Sequence, residues 1–383
     1  MAGKTNYTSH GVKYFRVTAK IGEKPDGTTI RKQFYGTGQK DAEAKRDAYL
    51  NNLRDGLDTD LSKLPVGKAM KMWLYEVKRR DSRIKDTSFE RYEGVYRIYI
   101  EGTNFASTRV SDVRGILIQK HLNKLADDTR GYSQLFNTLK LIKMFFIYAT
   151  KAGYTVKNPC LEDIAIPGGK PKKREVETFT DEEIALIRGS IDGHRLKLLV
   201  LLALGTGLRR GELLALKYDD IRGGKVYVSK TIANVAKIDG NGVITRSIEI
   251  GSPKSESSYR AVPVPKDMLA EIDAHKLRQM KERMAIGIGG KPEYIFATET
   301  GGLYDGSNVH KSFSRILEKA GVPHKKFHSL RHTYASQLVR MGVQLSVIQK
   351  LMGHSDIATT TIYVHVSDQD MIDAVEVLSA WLK

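Results

Sequence analysis

Cysteine is nearly absent from this chain. Cys160 is the one thiol among 383 residues, which excludes an intrachain disulfide framework and a multi-cysteine zinc site and fits an intracellular setting. Long apolar runs are missing too: the densest, Leu196 to Leu204, is broken by Lys197 and too short to span a bilayer, and Met1-Ala2-Gly3-Lys4-Thr5-Asn6 carries no apolar signal core. Neither secretion nor membrane embedding is expected. Acid is the third shortage. Against 62 Lys and Arg stand 44 Asp and Glu, a net charge of +18. That balance points to a polyanionic partner, nucleic acid ahead of membrane because no amphipathic lipid anchor is present. There is no Walker-type phosphate loop and no internal repeat. An apolar share of 41% supplies cores for two or three domains.

Residues 13–20 and 28–35 are β-branched, aromatic and basic, and Pro25-Asp26-Gly27 separates them as a turn. A helix from about Asp41 to Arg54 offers Ala42, Ala48, Tyr49 and Leu53 to cover this small sheet. Arg16, Lys20, Arg31 and Lys32 either reach into a DNA groove, as β-ribbon readers do, or form a solvated hairpin face. A polar break near residue 60 precedes helical periodicity over 65–79, 86–99, 111–126 and 132–152, as in Leu135, Leu139, Ile142 and Phe146. Lys78, Arg79, Arg80, Arg83, Lys140 and Lys143 on this bundle are candidate phosphate contacts, with a solvated charged surface the plainer reading. Prolines, glycines and lysines over 160–173 mark a linker, and Thr180-Asp181-Glu182-Glu183 forms a capping box at the start of a third domain near Arg174.

The chemistry concentrates between His328 and Tyr363. His328-Ser329-Leu330-Arg331-His332-Thr333 is followed by Met352-Gly353-His354 and by Thr359-Thr360-Thr361-Ile362-Tyr363. A guanidinium matches two phosphate oxygens, an imidazole exchanges a proton near neutral pH, and a phenol becomes a nucleophile once its proton is taken. Attack on a phosphodiester is the chemistry these residues suggest together. A metal is not implied. His328 and His332 have the spacing of a zinc helix but lack the glutamate between them, and His332 is read as helix packing.

These motifs resemble the C-terminal set of the tyrosine recombinases, the integrases of phages and conjugative elements, with Met352 the one departure from that family's Leu-Gly-His. The resemblance implies a mainly α fold with small β-sheets (α+β) in three parts. They are an arm-type DNA-binding domain over 1–57, a helical core-binding domain over 62–159, and after the 160–173 linker a mixed catalytic domain over 174–383 ending in a tail helix at 367–383. It further implies that Thr206-Gly207-Leu208-Arg209-Arg210-Gly211-Glu212 supplies the first catalytic arginine, Arg209, its companion acid Glu212, and in Arg210 a further DNA contact. The resemblance implies that Lys254, with Lys230 the alternative, is the catalytic lysine on a β-hairpin. Arg209 and Arg331 would bind the non-bridging oxygens, Tyr363 would attack phosphorus, His328 would take its proton, Lys254 would protonate the leaving 5′ oxygen and His354 would donate to the phosphate. The activity implied is strand exchange through a 3′-phosphotyrosine and a Holliday junction, integrating and excising a mobile element without a cofactor. The partners implied are double-stranded DNA with core and arm sites, a homo-tetramer, and an excisionase or host DNA-bending factor, in a bacterial cytoplasm near the nucleoid. A type IB topoisomerase-like enzyme and a catalytically silent DNA-binding regulator are the alternatives.

Overall fold

The computed structural model describes residues 6–9, 12–23, 26–54, 56–58, 60–171, 176–240, 242–253 and 255–363. Lys254 and the tail expected to be helical at 367–383 lie outside them. The chain divides into two compact units, Met1–Lys172 with Ile238–Val243, and Lys173–Lys237 with Ile244–Lys383. Among the described residues no helix is long and apolar enough to cross a membrane.

The first unit opens with an antiparallel sheet, β1 (Tyr7–Ser9), β2 (Val12–Glu23) and β3 (Thr29–Gly36), with helix α1 (Gln39–Arg54) against it. Strand β1 is an element the sequence pattern did not reveal. Side chains alternate across a strand, so the register assigns each basic residue to a face. Arg16 pairs with Tyr35 and Lys20 with Arg31 on one face, whereas Val17 with Phe34 and Ala19 with Lys32 form the other. Phe34 is buried, and its ring meets Tyr49 of α1 at 5.2 Å. The helix therefore covers the Phe34 face, and Lys32 lies on it with its ammonium 4.3 Å from the Tyr49 ring centroid. Close approach of α1 requires Gly36, where a Cβ would stand 2.4 Å from the Ala42 nitrogen.

The helical part holds α2 (Val66–Met72), running into a π-helical turn at Trp73–Lys78, then α3 (Asp86–Tyr99), α4 (Asn104–Ser107), α5 (Gly115–Asp127) and α6 (Tyr132–Lys151). Leu135, Leu139, Ile142, Phe145, Phe146 and Ala149 of α6 are buried at helical spacing, and Trp73 packs edge-on against Phe145 at 5.7 Å.

The second unit is built around α8 (Lys197–Thr206), which follows α7 (Asp181–Ser190). The capping box of α7 is present, with the Thr180 hydroxyl accepting from the Glu183 amide at 3.2 Å and the Glu183 carboxylate accepting from the Thr180 amide at 2.9 Å. Leu198, Leu199, Val200, Leu202 and Ala203 are all buried, so α8 is covered on nearly every side and serves as the core's axis. Helix α9 (Arg210–Leu214) comes next, then a three-stranded antiparallel sheet of β4 (Ile221–Arg222), β5 (Lys225–Val228) and β8 (Arg260–Pro263). Strands β6 (Thr231–Ile238) and β7 (Ile244–Gly251) form a separate ribbon between β5 and β8 in the chain. Helices α10 (Lys266–Ala285), α11 (Gly306–Lys319), α12 (His328–Arg340), α13 (Leu345–Met352) and α14 (Ala358–Thr361) complete the unit.

Candidate active site

Two left-handed glycines frame the site. Gly207 (φ 61°) ends α8 and Gly353 (φ 63°) ends α13, a conformation glycine adopts without the penalty a Cβ carries. Each leaves backbone carbonyls that its helix cannot satisfy. Arginines satisfy them. Three consecutive carbonyls at the end of α13 take three different guanidiniums: Leu351 accepts from Arg260 Nε at 2.7 Å, Met352 from Arg331 Nη2 at 2.6 Å, and Gly353 from Arg209 Nη2 at 3.1 Å. Arg331 also donates through Nη1 to the Gly207 carbonyl at 2.5 Å, tying the two helix ends together. Cations belong at helix C-termini, where the aligned peptide dipoles present their negative end.

Glu212 holds this cluster from the other side. Its carboxylate accepts from Arg209 Nη1 (2.8 Å), the Arg209 amide (2.9 Å), Arg260 Nη1 (3.2 Å) and Arg260 Nη2 (2.9 Å). Burial pushes its pKa up, but the hydrogen bonds and charge of Arg260, joined by Arg209, prevail and hold it below the ordinary value. The Arg260 and Glu212 side chains are both nearly inaccessible, at 6% and 3% exposure, so the pair is a buried one. Removing one member should be costly. Arg260→Ala is expected to lower unfolding stability by about 3–5 kcal/mol, read by denaturant titration. A loss under about 1 kcal/mol would mean solvent compensates Glu212, as at an exposed pair.

The histidines fall into place around Arg331, itself 2% exposed and pushed down to about 9 by burial and then by Arg209. His354 Nε2 is 3.0 Å from Arg331 Nη2, and its Nδ1 is 2.9 Å from the Thr360 hydroxyl. A guanidinium only donates, so Nε2 accepts and the proton resides on Nδ1, shared with Thr360. Burial, followed by Arg331, Arg209 and Arg260, lowers the His354 pKa to about 4 and keeps the ring neutral. As placed, neither nitrogen is free to donate to a phosphate, the role the sequence suggested. His328 stands at the start of α12, its pKa brought down to about 4 by desolvation, His332 and Arg331, and its ring meets His332 edge-on at 4.7 Å. Tyr363 is 4% exposed and packs with Ala335, Ile348 and Met352. Burial raises its pKa while Arg331 and Arg209 oppose the rise. Its hydroxyl lies 2.7 Å from His332 Nδ1, so the phenol's partner is His332 rather than His328.

Arg209, Glu212, His328, Arg331, His354 and Tyr363, spread over the sequence, thus converge in the second unit, joined by Arg260, Thr360 and His332, which sequence reasoning did not assign to the site. Arg260 carried no motif. Arg210 is exposed and lies over Gly306, its Nη2 3.1 Å from where a Cβ would stand there. Of the other sequence candidates, Lys20 is paired with Glu23, Arg16 lies over the Tyr7 ring at 4.8 Å, and Arg31 is exposed beside Lys20. Arg79, Lys140 and Lys143 are exposed; Arg80 is paired with Glu76 and Arg83 with Asp81, and Lys78 lies 5.4 Å from the Trp73 ring. Among the described residues no group of three His, Cys, Asp or Glu could hold a metal ion.

Comparison with known proteins completes the description. The model of the phage integrase family matches residues 173–370. A tyrosine recombinase XerC-like protein of Caldanaerobacter subterraneus subsp. tengcongensis is 42% identical over 389 residues, covering 99% of this chain and 99% of its own length. Among solved structures, the Tn1549 transposon integrase in complex with a circular intermediate DNA aligns with a TM-score of 0.67 at 20% identity, covering 82% of this chain and 99% of that one. A lambda integrase tetramer bound to a Holliday junction aligns with a TM-score of 0.57 at 18% identity, covering 90% and 93%.

Proposed function

We propose a residue-level reaction for this chain, which belongs to the phage integrase family of tyrosine recombinases and is accordingly a site-specific DNA recombinase. Tyr363 attacks the scissile phosphorus and forms a 3′-phosphotyrosine, releasing a 5′-hydroxyl that later attacks in its turn and restores the backbone. Arg209 and Arg331 hold the non-bridging oxygens and stabilise the charge that grows in the transition state, as donors preorganised around an oxyanion do. Glu212 and Arg260 fix Arg209; Lys254 protonates the leaving oxygen. The observation that carries the reading is the convergence of Tyr363 and the arginine cluster on the ends of α8 and α13.

Energy conserved in the phosphoester makes religation possible without a nucleotide, which suits a chain with no phosphate loop. A net charge of +18 supports double-stranded DNA as the substrate. We assign the sheet domain of residues 1–57 to accessory arm sites through Arg16 and the exposed Lys20 and Arg31, and the helices of 62–159 to the core site. The active assembly is a homo-tetramer on two duplexes, guided by an excisionase or DNA-bending factor, in the bacterial cytoplasm at the nucleoid. Strand exchange, rather than relaxation by a topoisomerase or silent binding, is favoured by family membership together with intact candidates at each catalytic position that can be described.

The test uses the full chain and a supercoiled plasmid carrying the joined ends of its own element, quenched with detergent and labelled at the DNA ends. A protein-linked 3′ end with a free 5′-hydroxyl is expected. Linkage at a 5′ end, or cleavage without linkage, overturns the reading.

A further inference from the structure

We infer that His332 is a catalytic residue, the group that takes the phenol proton of Tyr363, an assignment that rests on the reading of Tyr363 as the nucleophile. Three observations meet at this ring. First, the contact is direct: Nδ1 stands 2.7 Å from the Tyr363 hydroxyl, with the rings inclined at 46° and their centroids 5.6 Å apart. Second, the phenol is shut away from solvent among Ala335, Ile348 and Met352, so bulk water is a poor substitute acceptor. Third, the hydrogen bond goes to His332 although His328, the other imidazole one helical turn earlier, packs against the His332 ring. Burial and then the charge of Arg331 lower the His332 pKa from its ordinary value, against the opposing charge of Glu177, which favours the uncharged ring with a lone pair to offer. With the proton on Nε2, Nδ1 faces the phenol as an acceptor.

The step balances. As the Tyr363 oxygen bonds to phosphorus, its proton passes to His332 Nδ1, the bond from phosphorus to the 5′ oxygen breaks, and that oxygen leaves with a proton from the acid of the proposed set. In rejoining, the 5′-hydroxyl returns its proton to that same acid as it attacks phosphorus, the bond from phosphorus to the Tyr363 oxygen breaks, and Nδ1 gives its proton back to the departing phenol oxygen. A base acting at both steps serves a reversible reaction, in which the tyrosine must be a good nucleophile once and a good leaving group once.

Two substitutions separate proton transfer from mere tethering. His332→Asn presents an amide oxygen near the position of Nδ1, able to accept the hydrogen bond but not to keep a proton, whereas His332→Ala removes both functions. On the plasmid described above, single-turnover adduct formation by each full-length variant is expected to fall on the order of a hundred- to ten-thousandfold at neutral pH. Each variant's rate should climb with pH into the alkaline range as the phenol ionises unaided, while the wild type levels off. Added imidazole should recover part of the rate of His332→Ala, a readout that a packing role would not move. An Asn variant at close to the wild-type rate overturns the inference, since tethering then suffices; so does an Ala variant that shows neither the pH dependence nor imidazole rescue. Should the Ala protein misfold, Asn alone decides by its rate. Tyr363→Phe run in parallel tells the two readings apart: an adduct surviving there defeats the nucleophile assignment, whereas its loss beside an active His332→Asn defeats only the base.

Discussion

Tyr363→Phe should form no detectable covalent adduct while binding DNA about as well as the unaltered chain. The substitution removes one oxygen from a ring that is otherwise packed among Ala335, Ile348 and Met352, and the apolar contacts survive it. Its structural cost is the hydrogen bond to His332, worth on the order of 1 kcal/mol, so the second unit should stay folded with its melting temperature lowered by only a few degrees. Adduct formation, by contrast, depends on that oxygen completely. Detergent-quenched reactions on end-labelled DNA read the first quantity and a binding titration at fixed salt reads the second. A surviving adduct would send the search to other tyrosines of the second unit, Tyr334 and Tyr304 first. The Tyr334 ring covers Gly207 so closely that a Cβ there would stand 2.2 Å from it, and Tyr304 packs against the core with its hydroxyl pKa raised by burial.

What could be read from the sequence follows from how local each signal is. Helices α3 and α6 were legible at 86–99 and 132–152 because three- and four-residue apolar spacing is written within a single element. So was the capping box at Thr180, whose two hydrogen bonds close over three residues. Strand β1, three residues long, gives no pattern from which to infer it. Lys32 shows how alternation decides a fate: shifted by one position from Arg31, it turns to the helix-covered face, though both belong to the same basic cluster. Arg260 was hidden for a different reason, since its partners, Glu212 and the Leu351 carbonyl, are brought to it only by tertiary folding. His332 stood inside the motif all along, but spacing on a helix cannot say which of two imidazoles one turn apart will meet a phenol arriving from another helix.

Arg331→Lys should reduce cleavage far more than DNA affinity. Arg331 is buried and spends its guanidinium on three partners in different directions, the carbonyls of Gly207 and Met352 and the His354 ring. A lysine keeps the positive charge that attracts the DNA backbone but concentrates it at a point, without the planar fork that grips two sites at once. It can hold one helix end or the other, so the gap between α8 and α13 loses its fixed width, and Arg209 with Gly353 shifts along with it. Losing one preorganised donor to a developing oxyanion costs on the order of a hundred- to a thousandfold in rate, about 2.7–4 kcal/mol, and that is the fall expected in single-turnover cleavage. Affinity should change little, because most phosphate contacts of a duplex-binding protein lie outside the reacting centre. Equal losses in binding and cleavage would show that Arg331 is an anchor for DNA or for the fold and not a selective stabiliser of the transition state. Denaturant titration of the same variant distinguishes those two outcomes, since a buried carbonyl left without a donor costs about 1–3 kcal/mol of folding stability whether or not DNA is present.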